Sequence, residues 1–243
     1  MGDVIELPRR PPSGRGTTAA AMLSGAASMR WLASWDIDDW GRDDTLARAA
    51  ARVAHVRWDA VVGGTELLPE RGPAVIVVNS RRFHLTPWWV ALTLSDAVGR
   101  PVRFVGRPDT APFGALARRL GGLLARPDEI AGALRHDQLL VLGLSSGLDP
   151  RKLGSIDPQL LGPAVELKVP VFPAGVALSE TSRSARIEVA GAVAAPQRRR
   201  GPLGERELTR RVQIRIGELV EAFGGSRTGT PLDWLPWPAI GER

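Results

Sequence analysis

Cysteine is absent from the 243 residues, which excludes a disulfide framework and any Cys-bound zinc. Histidine occurs three times, at His55, His84 and His136, too scattered along the chain to suggest a metal site, and none is expected. Lysine is nearly missing: of 32 basic residues only Lys152 and Lys168 are lysine, and the rest are arginine. No stretch reaches the roughly 20 consecutive apolar residues that a membrane-spanning helix needs. Arg9 and Arg10 precede an Ala-rich run, but serines and Arg30 interrupt it, so a signal peptide is not expected. The want of cysteine suits a cytoplasmic chain.

What is present is enough to fold. Apolar residues make up 44%, and the charged share of 24% is that of a soluble globular domain. The formal charge is +6. Arginine in place of lysine, with much Ala, Gly and Pro, reads first as the mark of a GC-rich coding sequence. The same charge would also draw the chain toward anionic lipid or nucleic acid. The nucleic-acid reading ranks last, because no recognition motif accompanies the charge.

Residues 1–16 hold Pro8, Pro11, Pro12, Gly14 and Gly16 among Arg and Ser, and are expected to be a disordered tail. A helical N-terminal segment over 17–57 follows, with one short helix at 17–35 and a second, capped at Asp44-Thr45, running from Leu46 to Val56. The main domain is expected over 58–225, and a Trp/Pro-rich tail over 226–243. Within the main domain Trp58 to Leu67 alternates like a strand with a Gly-Gly bulge. PAVIVVN (73–79) is a β-branched run of the kind buried on both faces of a sheet. Thr86-Pro87 is an N-cap with Pro at N1 for a helix to Val98. Strands are expected at 102–105, 138–144, 169–178 and 185–189, and helices at 112–120, 127–134 and 205–223. In the last helix Leu208, Val212, Leu219, Val220 and Phe223 share one face, with Arg206, Arg210, Arg211 and Arg215 off it. Strands alternating with helices predict an α/β fold: a single domain with a mostly parallel central sheet flanked by helices.

The order of blocks over residues 58–195 resembles the glycerolipid (lysophosphatidic-acid-type) acyltransferase family. The strand VIVV ends in Asn79-Ser80, and Arg81-Arg82-Phe83-His84-Leu85-Thr86 leads into Pro87-Trp88-Trp89. That family has Asn-His opening a His-x4-Asp motif, or a longer spacing ending in Pro-Trp-Asp. Ser80 therefore stands at the family's His, and Trp89 at the Asp of the longer form. ALARRLGG (115–122) is similar to its Arg-rich Leu-Gly-Gly block, and Val169 to Pro173 to its Val-Pro-Val-x-Pro block. Its Phe-Pro-Glu-Gly block falls where this chain reads Leu144-Ser145-Ser146-Gly147, which keeps only the Gly.

The resemblance implies a general-base His that takes a proton from an alcohol attacking a thioester, with an Asp orienting the imidazole. Serine titrates far outside the working range and cannot act as that base. Tryptophan cannot accept the orienting hydrogen bond. The leading expectation is an acyltransferase-fold protein that binds acyl chains, a lipid or a partner enzyme and no longer performs transfer. The alternative is an active acyltransferase moving an acyl group from acyl-CoA or acyl carrier protein to a lysolipid or other alcohol, with His84 as a displaced base oriented by a carboxylate such as Asp109 or Asp149. No resident cofactor is expected on either reading. Ser80, Arg81, Arg82, Ser145, Ser146 and Gly147 are the expected ligand contacts, the arginines because a guanidinium grips phosphate through two hydrogen bonds. The Trp residues near both ends suit either a peripheral contact at the inner face of the membrane or packing onto the domain.

Two motifs are set aside. His55 and Asp59 are spaced one residue short of the family motif and precede the wrong strand. Gly143 to Gly147 spells the G-x-S-x-G of hydrolase elbows, but no His follows His136 to serve Ser145, and Pro150 would break the helix such an elbow opens.

Overall fold

A computed structural model describes residues 37–80, 85–145, 153–179, 182–196 and 201–223. The chain falls into two units, 1–36 and 37–243, and all described residues belong to the second. The expected tail at 1–16, the helix at 17–35 and the C-terminal segment from 226 lie outside them.

Seven strands form one sheet: β1 (Asp59–Gly63), β2 (Ala74–Val78), β3 (Val102–Val105), β4 (Gly122–Leu123), β5 (Leu139–Gly143), β6 (Val171–Leu178) and β7 (Ser184–Val189). Their order is β1-β7-β6-β2-β5-β3-β4. Every neighbouring pair is parallel except β6 and β7. Five strands thus run one way and the edge pair β7 and β1 runs the other. The expected α/β class with a mostly parallel sheet is what the chain adopts.

The helices are α1 (Asp44–Arg57), α2 (Leu85–Val98), α3 (Phe113–Arg119), α4 (Pro127–Arg135), α5 (Gly162–Leu167) and α6 (Pro202–Ala222). Burial follows the two-residue period of the strands. Ala74, Ile76 and Val78 of β2 pack with Trp89, Val90 and Leu94 of α2. Val75 and Val77 point the other way, among Ile130 and Leu134 of α4, Ala164 of α5, and Leu208, Val212, Ile216 and Val220 of α6. All five β2 side chains are buried because helices cover both faces, which is why VIVV reads as one apolar run.

Several local expectations shift. The N-cap of α1 is Asp43, whose carboxylate accepts from the Leu46 N–H at 3.0 Å, one residue earlier than Asp44. Residues 58–67 are not one bulged strand: β1 stops at Gly63, and Gly64 takes φ +75 to start a 3-10 turn over Thr65–Leu67. A Cβ on Gly64 would meet the Val189 carbonyl at 2.0 Å, so only glycine fits the turn. Thr86 and Pro87 fall inside the first turn of α2, which includes Leu85. β4 and α5, with a 3-10 turn at Pro158–Leu161 before α5, had no sequence signal assigned to them.

Arg103 projects from β3 with 1% of its side chain exposed. It is held by an ion pair to Asp38 and donates from Nε to Gln138 Oε1 at 2.8 Å. The other Asp38 oxygen accepts from the Trp40 and Arg42 N–H groups at 3.0 and 2.9 Å, so one carboxylate ties the 37–43 segment to the sheet. Burial lowers the Arg103 pKa from its ordinary value, and Asp38 only partly offsets this.

Candidate functional site

The five parallel strands end on one edge, and the chain leaves neighbouring strands there toward opposite faces. After β2 it crosses to α2 on one face; after β5 it reaches α5 on the other. Such a switch point opens a crevice beyond the strand ends, the usual ligand site of open α/β sheets. Asn79-Ser80 and Leu144-Ser145 sit there.

Asn79 is buried and completes the sheet where the backbone ladder stops. Val78 is in register with Ala174. One step on, the Asn79 Nδ2 donates to the Val176 carbonyl at 2.9 Å, and the Val176 N–H donates to Oδ1 at 2.6 Å. The end of β2 is therefore fixed to β6 by a side chain that mimics a peptide. Ser80 follows, half-buried. On the other flank the Leu144 N–H donates to the Val78 carbonyl at 2.9 Å. A Cβ on Gly143 would lie 2.5 Å from Pro87 Cγ and 3.2 Å from Ser80 Cβ. Gly143 is thus the gap that seats the first turn of α2 against β5, and it sets Ser80 close to both. The sequence had pointed to this glycine only as part of a false elbow.

Ser145, at the centre of the G-x-S-x-G stretch, ends in a bridge to a later segment. Ser145 and Ser155 exchange backbone hydrogen bonds at 2.6 and 3.0 Å, a two-residue antiparallel bridge. Ser145 is exposed on that bridge, and residues 146–152 lie outside the described residues. Gln213 of α6 donates to the Gly154 carbonyl at 3.3 Å and braces the same strip.

Trp89 does not face this edge. It is 2% exposed and meets Trp58 edge-on, with ring centroids 5.5 Å apart, in the core between α2 and the sheet. Neither indole N–H finds an acceptor among the described residues. Trp88 is half-buried against Ala47, Ala51 and Leu92. Arg57 lies over the Trp58 ring at 5.0 Å and donates to the Ser182 carbonyl at 3.2 Å, closing the cluster from above.

Of the expected contacts, Ser80 and Ser145 come to the same edge. Arg81, Arg82, His84, Ser146 and Gly147 lie outside the described residues, as does Asp149. Asp109, one of the two carboxylates considered for His84, is ion-paired to Arg126 at 2.9 Å. His55 and Asp59 share no hydrogen bond: the His55 carbonyl accepts from Arg183, and the Asp59 N–H donates to the Arg183 carbonyl. Among the described residues no group of three His, Asp or Glu side chains is placed to hold a metal. Among them, too, no helix is long and apolar enough to cross a membrane.

No family model matches the chain, and no curated protein matches it. Among solved structures the chain is similar to the crystal structure of the 1-acyl-sn-glycerophosphate (LPA) acyltransferase PlsC from Thermotoga maritima, with a TM-score of 0.49 and 16% identity. The match covers 82% of this chain and 88% of that one.

Proposed function

We propose that this chain is a cytoplasmic α/β protein that holds an acylated lipid or acyl thioester at the switch-point crevice and does not itself transfer the acyl group. The observation that carries this reading is the fate of the two motif positions. Ser80 ends β2 at the crevice beside Gly143, and Trp89 is turned away into the core against Trp58. A proton acceptor at the first position and a carboxylate at the second are what base-catalysed attack on a thioester would require. A serine hydroxyl, which titrates far outside the working range, and a buried indole supply neither. The parts kept from the resemblance are those that shape the edge, Asn79 with its tie to β6 and the Val169 to Pro173 run that leads into β6, and the Gly143 gap lies beside them. A chain that keeps the frame and drops the base fits binding better than turnover.

The ligand would be a long-chain acyl-CoA, acyl carrier protein or lysolipid, or the acylated product of a partner enzyme. The test is calorimetric titration of the full chain with a long-chain acyl-CoA and with a lysophospholipid, run beside an assay of acyl transfer between them. Saturable binding with no transfer is expected. Transfer by the natural chain that His84→Ala abolishes would overturn the reading in favour of a displaced base. Absence of binding to either class would remove it altogether.

A further inference from the structure

A pocket of about 600 Å³ lies between the end of α5 and the 192–196 segment. It is at the other end of the sheet from the crevice. Pro170, which lines it, stands just before β6, and the Pro170 carbonyl accepts from the Val75 N–H at 3.1 Å where β2 begins. The volume is within the roughly 300–1,000 Å³ of small-molecule sites. The walls are tied down: the Val193 N–H donates to the Val171 carbonyl at 2.8 Å, and Arg211 of α6 donates to the Ala194 carbonyl at 3.4 Å. Val165 and Val193 continue the lining into the core beneath α6.

Lys168 is the one charged residue of the lining, and every other is Val, Ala or Pro. It is exposed, and no carboxylate among the described residues lies within ion-pair distance of it. It caps the end of α5 at φ 56 and ψ 34, the left-handed region where helices most often place glycine. Asp137 is the only other described non-glycine residue with such a φ. One of the chain's two lysines thus holds a position that glycine would fill with less strain. The carbonyl end of α5 favours a cation, but α5 has only six residues, and a lysine anywhere in its last turn would serve that end.

We infer that this pocket is a second binding site, for a small amphiphile with an apolar body and a single carboxylate, of the class of a medium-chain fatty acid. The Val, Ala and Pro lining takes the chain, and the Lys168 ammonium pairs with the carboxylate. A flexible ammonium with three donors meets one anionic head without the fixed geometry that a guanidinium imposes. A phosphate head would leave its second charge unanswered, since the lining offers no other cation and no hydroxyl. Site and ligand are separate from those of the function proposed above.

The experiment is calorimetric titration of the full chain with octanoate, octanol and octyl phosphate, for the natural chain and for Lys168→Gly, Lys168→Arg and Ala192→Trp. Octanoate should bind saturably at one site, and octanol and octyl phosphate more weakly. Lys168→Gly should keep its urea midpoint, because glycine suits the left-handed backbone, and lose at least tenfold in octanoate affinity with octanol affinity unchanged. Lys168→Arg should retain most of the octanoate affinity, and Ala192→Trp, at an exposed lining position, should block the pocket to both. Octanoate binding that neither Lys168→Gly nor Ala192→Trp weakens would place the ligand elsewhere, for instance in the crevice, and overturn the inference. So would no binding by the natural chain, octanol or octyl phosphate binding as tightly as octanoate, or a natural dimer that Ala192→Trp splits, which would make a second copy the occupant. Acyl-CoA binding that falls with Lys168→Gly would merge the two sites and overturn it as well. If neither acyl-CoA nor lysophospholipid binds while octanoate still requires Lys168, the proposed function falls and this inference stands.

Discussion

Asn79 and Val176 exchange two hydrogen bonds, at 2.9 and 2.6 Å, between a side-chain amide and a peptide group on the neighbouring strand. Both partners are buried, so removing the amide strands a backbone donor and acceptor together. Asn79→Ala should cost about 2–4 kcal/mol. Asn79→Asp keeps an acceptor but loses the donor and should also destabilise. Urea unfolding measures both; a change below about 0.5 kcal/mol for the alanine variant would mean the tie is not needed at this edge.

Gly143→Ala tests the gap beneath α2. The new methyl must displace Pro87 or Ser80, and small-to-large changes in packed sites cost about 1–3 kcal/mol. Because the strain falls at the crevice, ligand affinity in calorimetry should drop along with the unfolding midpoint. Gly72→Ala is no control for this, since that glycine has φ +86; Gly217→Ala on α6, where nothing lies within 4 Å, is the comparison expected to be neutral or stabilising.

Placing a carboxylate at position 89 should fail. Trp89→Asp puts a charge in the core and removes the partner of Trp58, so a loss of about 4 kcal/mol or more is expected. Trp89→Phe, which keeps an aromatic ring and removes an unmatched N–H, should cost far less. With the shorter family spacing counted from Ser80, the acid falls instead at Leu85, the half-buried first residue of α2, where a helix N-terminus favours negative charge. Ser80→His/Leu85→Asp should therefore fold, and under the proposed function it is the variant in which acyl transfer would first emerge. A folded, stable Trp89→Asp protein would contradict this account.

Arg103 and Asp38 should prove unequal when broken and when replaced. Asp38→Asn leaves a buried guanidinium without its counter-charge and should cost about 3 kcal/mol. Arg103→Met/Asp38→Asn removes the charge that needed a partner and should recover most of that loss in the same unfolding experiment. If the double variant is as unstable as the single one, the pair matters for shape at the 37–43 segment and not for charge.

The strands were legible because helices cover both faces and make β2, β5 and β6 continuous apolar runs. α6 was legible from its period, and Ile216, buried beside Val212 and Val220, adds to the expected face. β4 is two residues long and pairs only with β3, too short to leave a pattern. α5 is six residues long and opens on Gly162-Pro163, a pair that gives no helical period to follow. For the site, Asn79 and Ser80 were visible as the end of a strand. The direction of Trp89 was not, because sequence spacing alone does not say which side of α2 faces the sheet. Gly143 was visible only as a letter in the wrong motif, since its role depends on Pro87 lying across from it.

The reversed edge pair of strands has a consequence for how the chain is made. β1 begins at Asp59, but its partner β7 begins at Ser184, and β2 waits for both β5 and β6. During synthesis the first two strands must remain unpaired until most of the chain has left the ribosome. Sheets assembled from such distant pairs form slowly, and their open intermediates invite aggregation. Slow, chaperone-dependent refolding is therefore to be expected of this domain, and truncation before β7 should leave β1 without a place in the sheet.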